Sequence, residues 1–337
     1  MRKTRVTLDD VAREVGVSPI TVSRALHRPN VVSADVRARV DLAVRRMGYV
    51  PNPAAQQLAR GRSNVIGVVI PSLTNFVFSD VLLGIYKGCE ETEFEIQLAN
   101  TRYSPSQEEK ILQVFQTQKP AGLIVTGFEQ TEHARDLLQR FDCPIVQIMD
   151  LGDDPIDMSI GLSHHAAAKA ATEHLIAQGY RAPGFLGARM DPRTQKRLEG
   201  YRAAVHEAGL FDPERVITTP EPSSVTLGAQ LMADLMAKAP QTDAVLCNND
   251  DLAVGVLFEA QRRHLKVPEQ FGICGFNDLE MVAAAEPPIT SVRTPRYDMG
   301  LRATELIQQR IAGETPATLN CDLGYTLQIR RSTQRRL

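Results

Sequence analysis

The sequence lacks the cysteine arrangements that build disulfide frameworks or zinc sites. Its cysteines are odd in number, widely spaced and without a Cys-x-x-Cys pair: Cys89, Cys143, Cys247, Cys274 and Cys321. Such a set is typical of reduced thiols. We therefore expect a cytoplasmic protein without a metal or another cofactor.

Long apolar stretches and the common catalytic motifs are also missing. No amino-terminal apolar segment and no run of about 18 apolar residues is present, so we expect no signal peptide and no membrane span. There is no Walker loop, no cluster of metal ligands and no nucleophile elbow. These absences argue against an enzyme, and the missing signal peptide argues against a sugar-binding protein used in transport.

Charge is distributed unevenly along the 337 residues, although the formal net charge is only −2. Residues 1–63 contain 12 Lys and Arg against 5 Asp and Glu, a net charge of +7, and the remainder carries −9. A basic amino-terminal part on an acidic body is typical of a nucleic-acid-binding module joined to a body with another role.

The stretch from Thr7 to Arg28 has the pattern of two short helices around a tight turn. Thr7 can cap the first helix and Gly16 can end it. Ser18 can cap the second helix with Pro19 in its first turn, where a missing N–H costs nothing. This is the pattern of a helix-turn-helix, whose second helix enters the DNA major groove. An ordinary α-helical hairpin is the alternative.

The second helix has short polar side chains on the face that would point outward. Thr21, Ser23 and Arg24 are expected on that face. Ile20 can either pack inward with Ala25 or present a methyl group to DNA.

A third helix is predicted from Ala34 to Met47, with Ser33 before it and Gly48 after it. It would complete a minimal three-helix bundle. Its outward-facing arginines serve either phosphate contact or solubility: Arg37, Arg39, Arg45 and Arg46.

The next segment can begin a helix at Asn52 and Pro53, but seven residues are too few to hold a helix in water alone. Its residues, together with the stretches on either side, resemble the LacI-type family of bacterial transcription regulators. The resemblance rests on Thr7–Arg24, on Tyr49-Val50-Pro51-Asn52, on Ala55-Gln56-Gln57-Leu58-Ala59 and on Ile66-Gly67-Val68. It extends over nearly the whole chain.

The resemblance implies a hinge helix that folds on DNA, pairs with its dimer mate and inserts Leu58 into the minor groove. An apolar wedge of this kind unstacks a base step and kinks the duplex. A helix-packing role is the alternative for Leu58. The DNA contacts implied are Thr7, Ser18, Pro19, Ile20, Thr21, Ser23, Arg24, Asn30, Asn52, Ala55, Gln56, Leu58 and Ala59.

From Asn64 onward, apolar runs of strand length alternate with helical segments. Strands are predicted at 65–70, 96–99, 122–126, 144–149, 184–186, 244–247 and 272–274. Repeated β-α-β units predict parallel sheets covered by helices, and the number of strands favours two Rossmann-like lobes. The resemblance implies the architecture of periplasmic sugar-binding proteins, with a ligand cleft between the lobes.

We therefore predict an α/β chain with a helix-turn-helix head at residues 1–50 and a hinge helix and linker at 51–63. The first lobe is predicted at 64–162 and 294–327, and the second at 163–293. The helix Tyr297–Ala312 and the strands around Leu319 and Tyr325 are expected to return to the first lobe. Tetrameric members of the family that the chain resembles carry a leucine-heptad tail, and the ending RRSTQRRL lacks one, so the resemblance implies a homodimer. The expected partner of the homodimer is pseudo-palindromic double-stranded operator DNA.

Three arginines follow the first predicted strand of the second lobe. Arg193 and Arg197 would share one face of a helix, and Arg189 would lie at the strand end. Guanidinium groups bind carboxylates in bidentate geometry. Pairing with Asp191 and Glu199 is the alternative for Arg189 and Arg193, and the resemblance implies a ligand-binding role for Arg197.

Five further residues at predicted strand ends are candidates for effector contact. Asn249 and Asp278 can bind sugar hydroxyls or merely shape their turns. Asn75 and Phe76 follow the first strand, where Phe76 either closes the cleft or packs within its lobe. Asp150 follows the fourth strand, where it either contacts the effector or makes a hinge hydrogen bond.

The loop 187–194 and the run 248–255 resemble the subgroup that controls the catabolism of gluconate and related sugar acids. Several arginines favour an anionic effector. Several members of the family that the chain resembles have an aromatic platform just before the position of Val225; this chain has Pro222, Ser223 and Ser224 there, which argues against a stacked purine. We expect a transcriptional repressor with a sugar-acid effector, gluconate or ketogluconate. A neutral sugar, a nucleoside or a phosphosugar is the alternative. His164 and His165 are predicted to be surface or capping residues rather than metal ligands.

Overall fold

The computed structural model describes residues 6–27, 29–50 and 61–335, which belong to two compact units, residues 1–63 and 64–337. No helix in these described ranges is both long enough and apolar enough to cross a membrane. The predicted hinge residues lie outside the described residues: Asn52, Ala55, Gln56, Leu58 and Ala59.

The first unit contains a three-helix bundle with α1 (Leu8–Val15), α2 (Pro19–His27) and α3 (Ala34–Met47), and a short 3-10 turn at Pro29–Val31. The predicted caps are present. The hydroxyl of Thr7 accepts from the Asp10 N–H, and the Asp10 carboxylate accepts from the Thr7 N–H at 2.9 Å. The hydroxyl of Ser18 accepts from the Thr21 N–H at 3.1 Å, so α2 begins where the sequence predicts.

The core of this unit contains Val11, Val15, Val22 and Val40. Ile20 does not join it, because its side chain is 64% exposed. The inward interpretation of Ile20 is therefore wrong, since helix geometry places positions 22 and 25 on the buried face and position 20 away from it.

Two of the α3 arginines make contacts within the bundle. Arg39 donates to the carbonyl of Val15 at the end of α1, and Arg46 pairs with Glu14. These contacts hold α3 against α1, a role that the sequence did not predict. Arg37 and Arg45 are exposed.

The second unit is built on two six-stranded sheets. The strands of the first sheet are β1 (Val65–Ile70), β2 (Glu95–Asn100), β3 (Gly122–Thr126), β4 (Ile145–Ile148), β5 (Met158–Gly161) and β11 (Asn320–Asp322). This sheet is parallel and has the order β2-β1-β3-β4-β5-β11. Its covering helices are α4 (Val77–Cys89), α5 (Pro105–Gln118), α6 (Glu132–Gln139) and α12 (Arg296–Ile311). We call this part the first lobe.

The strands of the second sheet are β6 (Pro183–Ala188), β7 (Val216–Thr219), β8 (Ala244–Cys247), β9 (Gly272–Asn277), β10 (Thr290–Arg293) and β12 (Thr326–Gln328). This sheet has the corresponding order β7-β6-β8-β9-β10-β12. Its helices are α7 (His164–Ala177), α8 (Pro192–Glu207), α9 (Val225–Lys238), α10 (Asp250–Arg262) and α11 (Glu280–Ala284), with a 3-10 turn at Pro213–Arg215. We call this part the second lobe.

The expectation for the last strands needs one correction. β11 joins the first sheet, with Cys321 opposite Ile160. β12 instead pairs antiparallel with β10, with Leu327 opposite Val292, so the strand next to Tyr325 belongs to the second lobe. A three-residue strand has too little pattern to show which sheet edge it joins.

Helices α4 and α12 approach each other closely because each has a glycine at the crossing. A Cβ atom on Gly84 would overlap the carbonyl oxygen of Tyr297, and one on Gly300 would overlap that of Val81. The close crossing fixes α12 against α4 in the first lobe. The carboxyl ends of the parallel strands carry the loops described next.

Candidate functional site

A cleft lies between the loops that follow the strands of the two lobes. The first lobe contributes Asn75, Val77, Phe78, Tyr103 and Met149 to its lining. The second lobe contributes Ala188, Arg189, Asp191, Arg193, Thr194, Arg197, Ser223, Asn248, Asn249, Asp251, Asn277 and Leu279.

The structure brings five of the eight predicted effector contacts to this cleft: Asn75, Arg189, Arg193, Arg197 and Asn249. They come from the loops after β1, β6 and β8 and from α8. Parallel strands bring these ends to one edge of each sheet, so the predicted strand ends located Asn75, Arg189 and Asn249. Arg193 and Arg197 lie on α8, where helical spacing and, for Arg197, the family resemblance indicated them.

Asp278 does not line the described cleft. Its carboxylate is buried and pairs with Arg293 at 2.7 Å and Arg330 at 2.6 Å. Asn277, the last residue of β9, lines the cleft instead. The prediction ended β9 at position 274, but the strand extends to 277, and successive side chains on a strand point to opposite sides.

Phe76 and Asp150 also lie outside the lining described for the cleft. Phe76 is 68% exposed, so it neither closes the cleft nor packs within its lobe. Asp150 is buried and pairs with Lys196 of the second lobe, with 2.6 Å between Oδ2 and Nζ. This contact is of the hinge type that was its alternative interpretation.

Arg197 is buried at the base of the cleft without a carboxylate partner among the ion pairs of the described residues. Its guanidinium lies 3.8 Å from the ring centroid of Phe276, and its Nη1 donates to the carbonyl oxygen of Asn248. Burial and the nearby charge of Arg193 lower the pKa of Arg197 to about 10, so it remains a cation at neutral pH.

His164 holds Arg197 in place. Arg197 Nε donates to His164 Nδ1 at 3.2 Å, so the ring proton must be on Nε2, which donates to the carbonyl oxygen of Met149 at 2.8 Å. Burial and the charge of Arg197 lower the pKa of His164 well below its usual value, and the ring is neutral. The prediction of a surface or capping histidine is therefore wrong for His164, while His165 is exposed.

Arg193 reaches carboxylates of both lobes. Its Nη2 lies 3.4 Å from Asp191 of its own lobe and 3.4 Å from Glu129, which follows β3 in the first lobe. Burial lowers the pKa of Arg193, but the two carboxylates outweigh burial and the net shift is upward. Within residues 6–27, 29–50 and 61–335, the buried Nη1 of Arg193 finds no acceptor.

Arg189 is the third arginine, and its guanidinium lies 3.8 Å from the ring centroid of Tyr103 in the first lobe. Tyr103, Arg189 and Asp191 also line a second chamber next to the cleft. Glu108 and Glu129 are among its lining residues. Two contacts therefore join the lobes where the two chambers meet. One is the contact of Arg189 with Tyr103, and the other is the ion pair of Arg193 with Glu129.

Strained backbone is concentrated at the cleft. Pairs of consecutive residues with positive φ follow β2 (Arg102 at 55° and Tyr103 at 57°) and β6 (Arg189 at 66° and Met190 at 50°). Asn277, at the end of β9, has a φ of 108°. Such conformations cost about 1–3 kcal/mol each and are found preferentially at functional sites.

The asparagine and aspartate residues after β8 have different roles. Asn249 caps α10 by accepting from the Leu252 N–H, and it also lines the cleft. Asp250 is buried and accepts from the Leu279 N–H and the Ser291 hydroxyl, both at 2.7 Å. Burial raises the pKa of Asp250 to about 7.

Sequence reasoning missed several cleft residues for identifiable reasons. Tyr103 lies three residues beyond the end of β2, and no effector contact was predicted in the loop after that strand. The buried side-chain oxygen of Asn277 finds no hydrogen-bond donor in the described part of the chain. Glu129 was missed because its partner is 64 positions away, and no local pattern indicates such a contact.

The head has an exposed strip that coincides with the predicted DNA contacts. Exposed residues there are Thr7, Ser18, Pro19, Ile20, Arg24 and Asn30, and Thr21 and Ser23 are half-buried. The opposite face of α2 is closed by Val22 and Ala25, so these side chains are available to a partner.

Known proteins share both parts of the chain. Residues 7–52 match the model of bacterial regulatory proteins of the lacI family, and residues 172–333 match a periplasmic binding protein-like domain. The HTH-type transcriptional regulator GntR of Pseudomonas aeruginosa is 43% identical over 329 residues, which cover 98% of this chain and 96% of that protein.

The chain belongs to the LacI family. It is a transcriptional regulator with a helix-turn-helix DNA-binding domain, not an enzyme.

Solved structures agree with this assignment of the LacI-family regulator. The transcription regulator GntR from Chromobacterium violaceum has a TM-score of 0.78 and 40% identity, over 80% of this chain and 99% of that one. The lac repressor dimer bound to operator has a TM-score of 0.86 and 25% identity, and the match covers 99% of this chain and 100% of that one. That relative therefore binds operator DNA as a dimer.

Proposed function

We propose that this LacI-family regulator is a homodimeric repressor of genes for sugar-acid catabolism, and that gluconate or a ketogluconate in the cleft controls its affinity for operator DNA. The observation that carries the proposal is Arg197, a buried cation that lines the cleft and takes part in no ion pair among the described residues. A buried charge is costly unless it is paired, and a ligand carboxylate would supply the partner.

The remaining lining suits a polyhydroxylated acid. The unpaired side-chain oxygen of Asn277 and the amide groups of Asn75 and Asn249 can exchange hydrogen bonds with hydroxyl groups. Ser223 lines the cleft where a larger platform would be needed to stack a purine. These features favour a sugar acid over a nucleoside.

The cleft would control DNA binding through the angle between the lobes. An effector that binds one lobe arrangement better than another shifts the population toward it. In the proposed mechanism this shift separates the two hinge helices of a dimer, which then unfold, and Leu58 leaves the minor groove. The head would contact one half-site per subunit through Thr21, Ser23 and Arg24, with Pro19 and Ile20 supplying shape and methyl contacts.

The experiment is thermal unfolding of the purified protein with a panel of sugar acids, neutral sugars, nucleosides and phosphosugars, followed by operator binding with the ligands that act. We expect gluconate or a ketogluconate to raise the midpoint by mass action and to change operator affinity. Arg197→Gln should abolish the shift, and Arg202→Gln, an exposed arginine on the same helix, should preserve it. A response to neutral sugars or nucleosides alone would reject the sugar-acid effector and leave the regulator.

A further inference from the structure

We propose that Glu129 of the first lobe occupies the place on Arg193 that the carboxylate of the effector takes when it binds. On this proposal a carboxylate effector exchanges an ion pair between the lobes for a contact with the ligand. The inference rests on the proposed function, because it requires a sugar acid in this cleft. It adds Arg193, four positions before Arg197 on α8, as a second receptor for that same carboxylate, and it adds the way in which binding loosens the two lobes.

The first step of the argument is that Arg193 is only partly satisfied. Its side chain is 7% exposed, yet its Nη2 has two carboxylates at 3.4 Å, longer than the 2.7–2.9 Å or so of a good charge-assisted hydrogen bond. Its Nη1 is buried and finds no acceptor among the described residues, although Arg193 lines the cleft. A free carboxylate in the cleft can bind such a guanidinium in bidentate geometry, which neither existing partner does.

The second step is that the two carboxylates differ in how firmly they are held. Asp191 caps α8, where its Oδ1 accepts from the Thr194 N–H at 2.9 Å, so it stays with Arg193 in the same lobe. Glu129 belongs to the first lobe, and its side chain is 30% exposed. Its other oxygen accepts from the Phe128 N–H at 2.8 Å, which gives it a local partner when Arg193 is withdrawn. Glu129 is therefore the partner that a ligand can replace.

The third step is charge. Glu129 and Asp191 both lie near Arg193, so a carboxylate bound there would be repelled by two like charges. Separation of the lobes at this point moves Glu129 away and removes one of the two repulsions. A neutral polyol of the same length has no such effect. The Glu129–Arg193 ion pair thus makes the lobe arrangement sensitive to the charge of the ligand and not only to its hydroxyl groups.

The test is calorimetric titration of gluconate and of its neutral analogue glucitol into the wild type, Glu129→Gln, Arg193→Gln and the double variant. We expect Glu129→Gln to bind gluconate about fivefold more tightly or better, because a competing carboxylate is gone. Arg193→Gln should bind gluconate more than tenfold more weakly and should discriminate it less from glucitol. In the Arg193→Gln background the Glu129 substitution should have no further effect.

A second readout is operator affinity without ligand. Glu129→Gln should shift it in the direction in which saturating gluconate shifts the wild type, and Glu132→Gln, an exposed glutamate on α6, should leave it unchanged. Unchanged or weaker gluconate binding by Glu129→Gln, or additive effects in the double variant, would overturn this inference while gluconate binding by the wild type sustains the proposed function. No sugar-acid binding by the wild type would overturn both.

Discussion

Lys196 of α8 and Asp150 after β4 form an ion pair that joins the two lobes, with 2.6 Å between Nζ and Oδ2. Lys196 Nζ also lies 3.3 Å from the carbonyl oxygen of Leu151. Asp150 is almost fully buried, whereas the Lys196 side chain is 37% exposed, so the lysine brings its charge from the surface to a carboxylate in the interior. The pair lies on the same helix as Arg193 and Arg197.

Removal of either member of the Asp150–Lys196 ion pair should lower the free energy of unfolding. Lys196→Gln leaves the buried Asp150 carboxylate without its cation, and Asp150→Asn leaves a lysine that can return to water. We expect a coupling energy of about 1–2 kcal/mol in a double-mutant cycle measured by urea unfolding. Additive single effects would show that the ion pair contributes nothing to holding the lobes together.

His164 should act as a positioning residue for Arg197. His164→Leu removes the acceptor for Arg197 Nε and the donor to Met149, so sugar-acid affinity should fall about tenfold or more. His164→Gln can both accept and donate and should recover most of the affinity. His165→Leu, at the exposed neighbouring position, is the control and should bind as the wild type does. Equal sugar-acid affinities in the wild type and the three variants, measured by titration, would contradict this role.

The crossing of α4 and α12 should not tolerate a methyl group. In Gly84→Ala the new Cβ would overlap the carbonyl oxygen of Tyr297, which belongs to a backbone that cannot rotate away. We expect a loss of about 1–3 kcal/mol in the free energy of unfolding. Ser79→Ala, on the same helix at an exposed position, should change it by less than about 0.5 kcal/mol. Equal stabilities would mean that the helices separate easily.

Leu58 should contribute to specific DNA binding more than to non-specific binding. Leu58→Ala removes the apolar group that is proposed to enter the minor groove, whereas non-specific binding depends on phosphate contacts. Fluorescence anisotropy with an operator selected from random DNA should show a large loss of affinity, and unrelated duplex DNA at the same salt concentration should show little change. An equal loss on both DNAs would reject the wedge.

Local signals explain which features the sequence could predict. Thr7, Gly16 and Ser18 act on backbone groups a few residues away, so the helix ends of the head were predictable. The strands β1 and β3 are largely continuous buried apolar runs and were found. The strands β5, β7 and β10 were not found, because serine or threonine residues interrupt their short apolar patterns.

The parts of the site that the sequence did not predict depend on contacts between residues far apart in the sequence or on the exact residue at which one strand ends. Asn277 and Asp278 are neighbours at a strand end, and only the true length of β9 decides which of them faces the cleft. The burial of His164 depends on Arg197, 33 positions away, and on Met149 in the other lobe. No pattern within a window of sequence reports such contacts.

Glu108, which lines the second chamber, should make stability fall as pH rises. Burial, followed by the charges of Glu129 and Glu109, raises the pKa of Glu108 to about 7, against a usual value of 4.5, although the Gln130 amide opposes this. The folded state therefore holds a proton that the unfolded state releases, and stability is lost as pH increases from about 4.5 to about 7. Above that range the loss is complete.

Glu108→Gln removes this dependence, because the amide does not titrate. The variant should match the wild type near pH 4.5 and exceed it at pH 8 by about 1–2 kcal/mol, a figure reduced for the partial exposure of the side chain. Asp250 titrates in the same range in both proteins, so its contribution cancels in the difference. Glu95→Gln, an exposed glutamate on β2, is the control. A difference that stays constant from pH 4.5 to pH 8 in urea unfolding would show that Glu108 ionises freely in the folded protein.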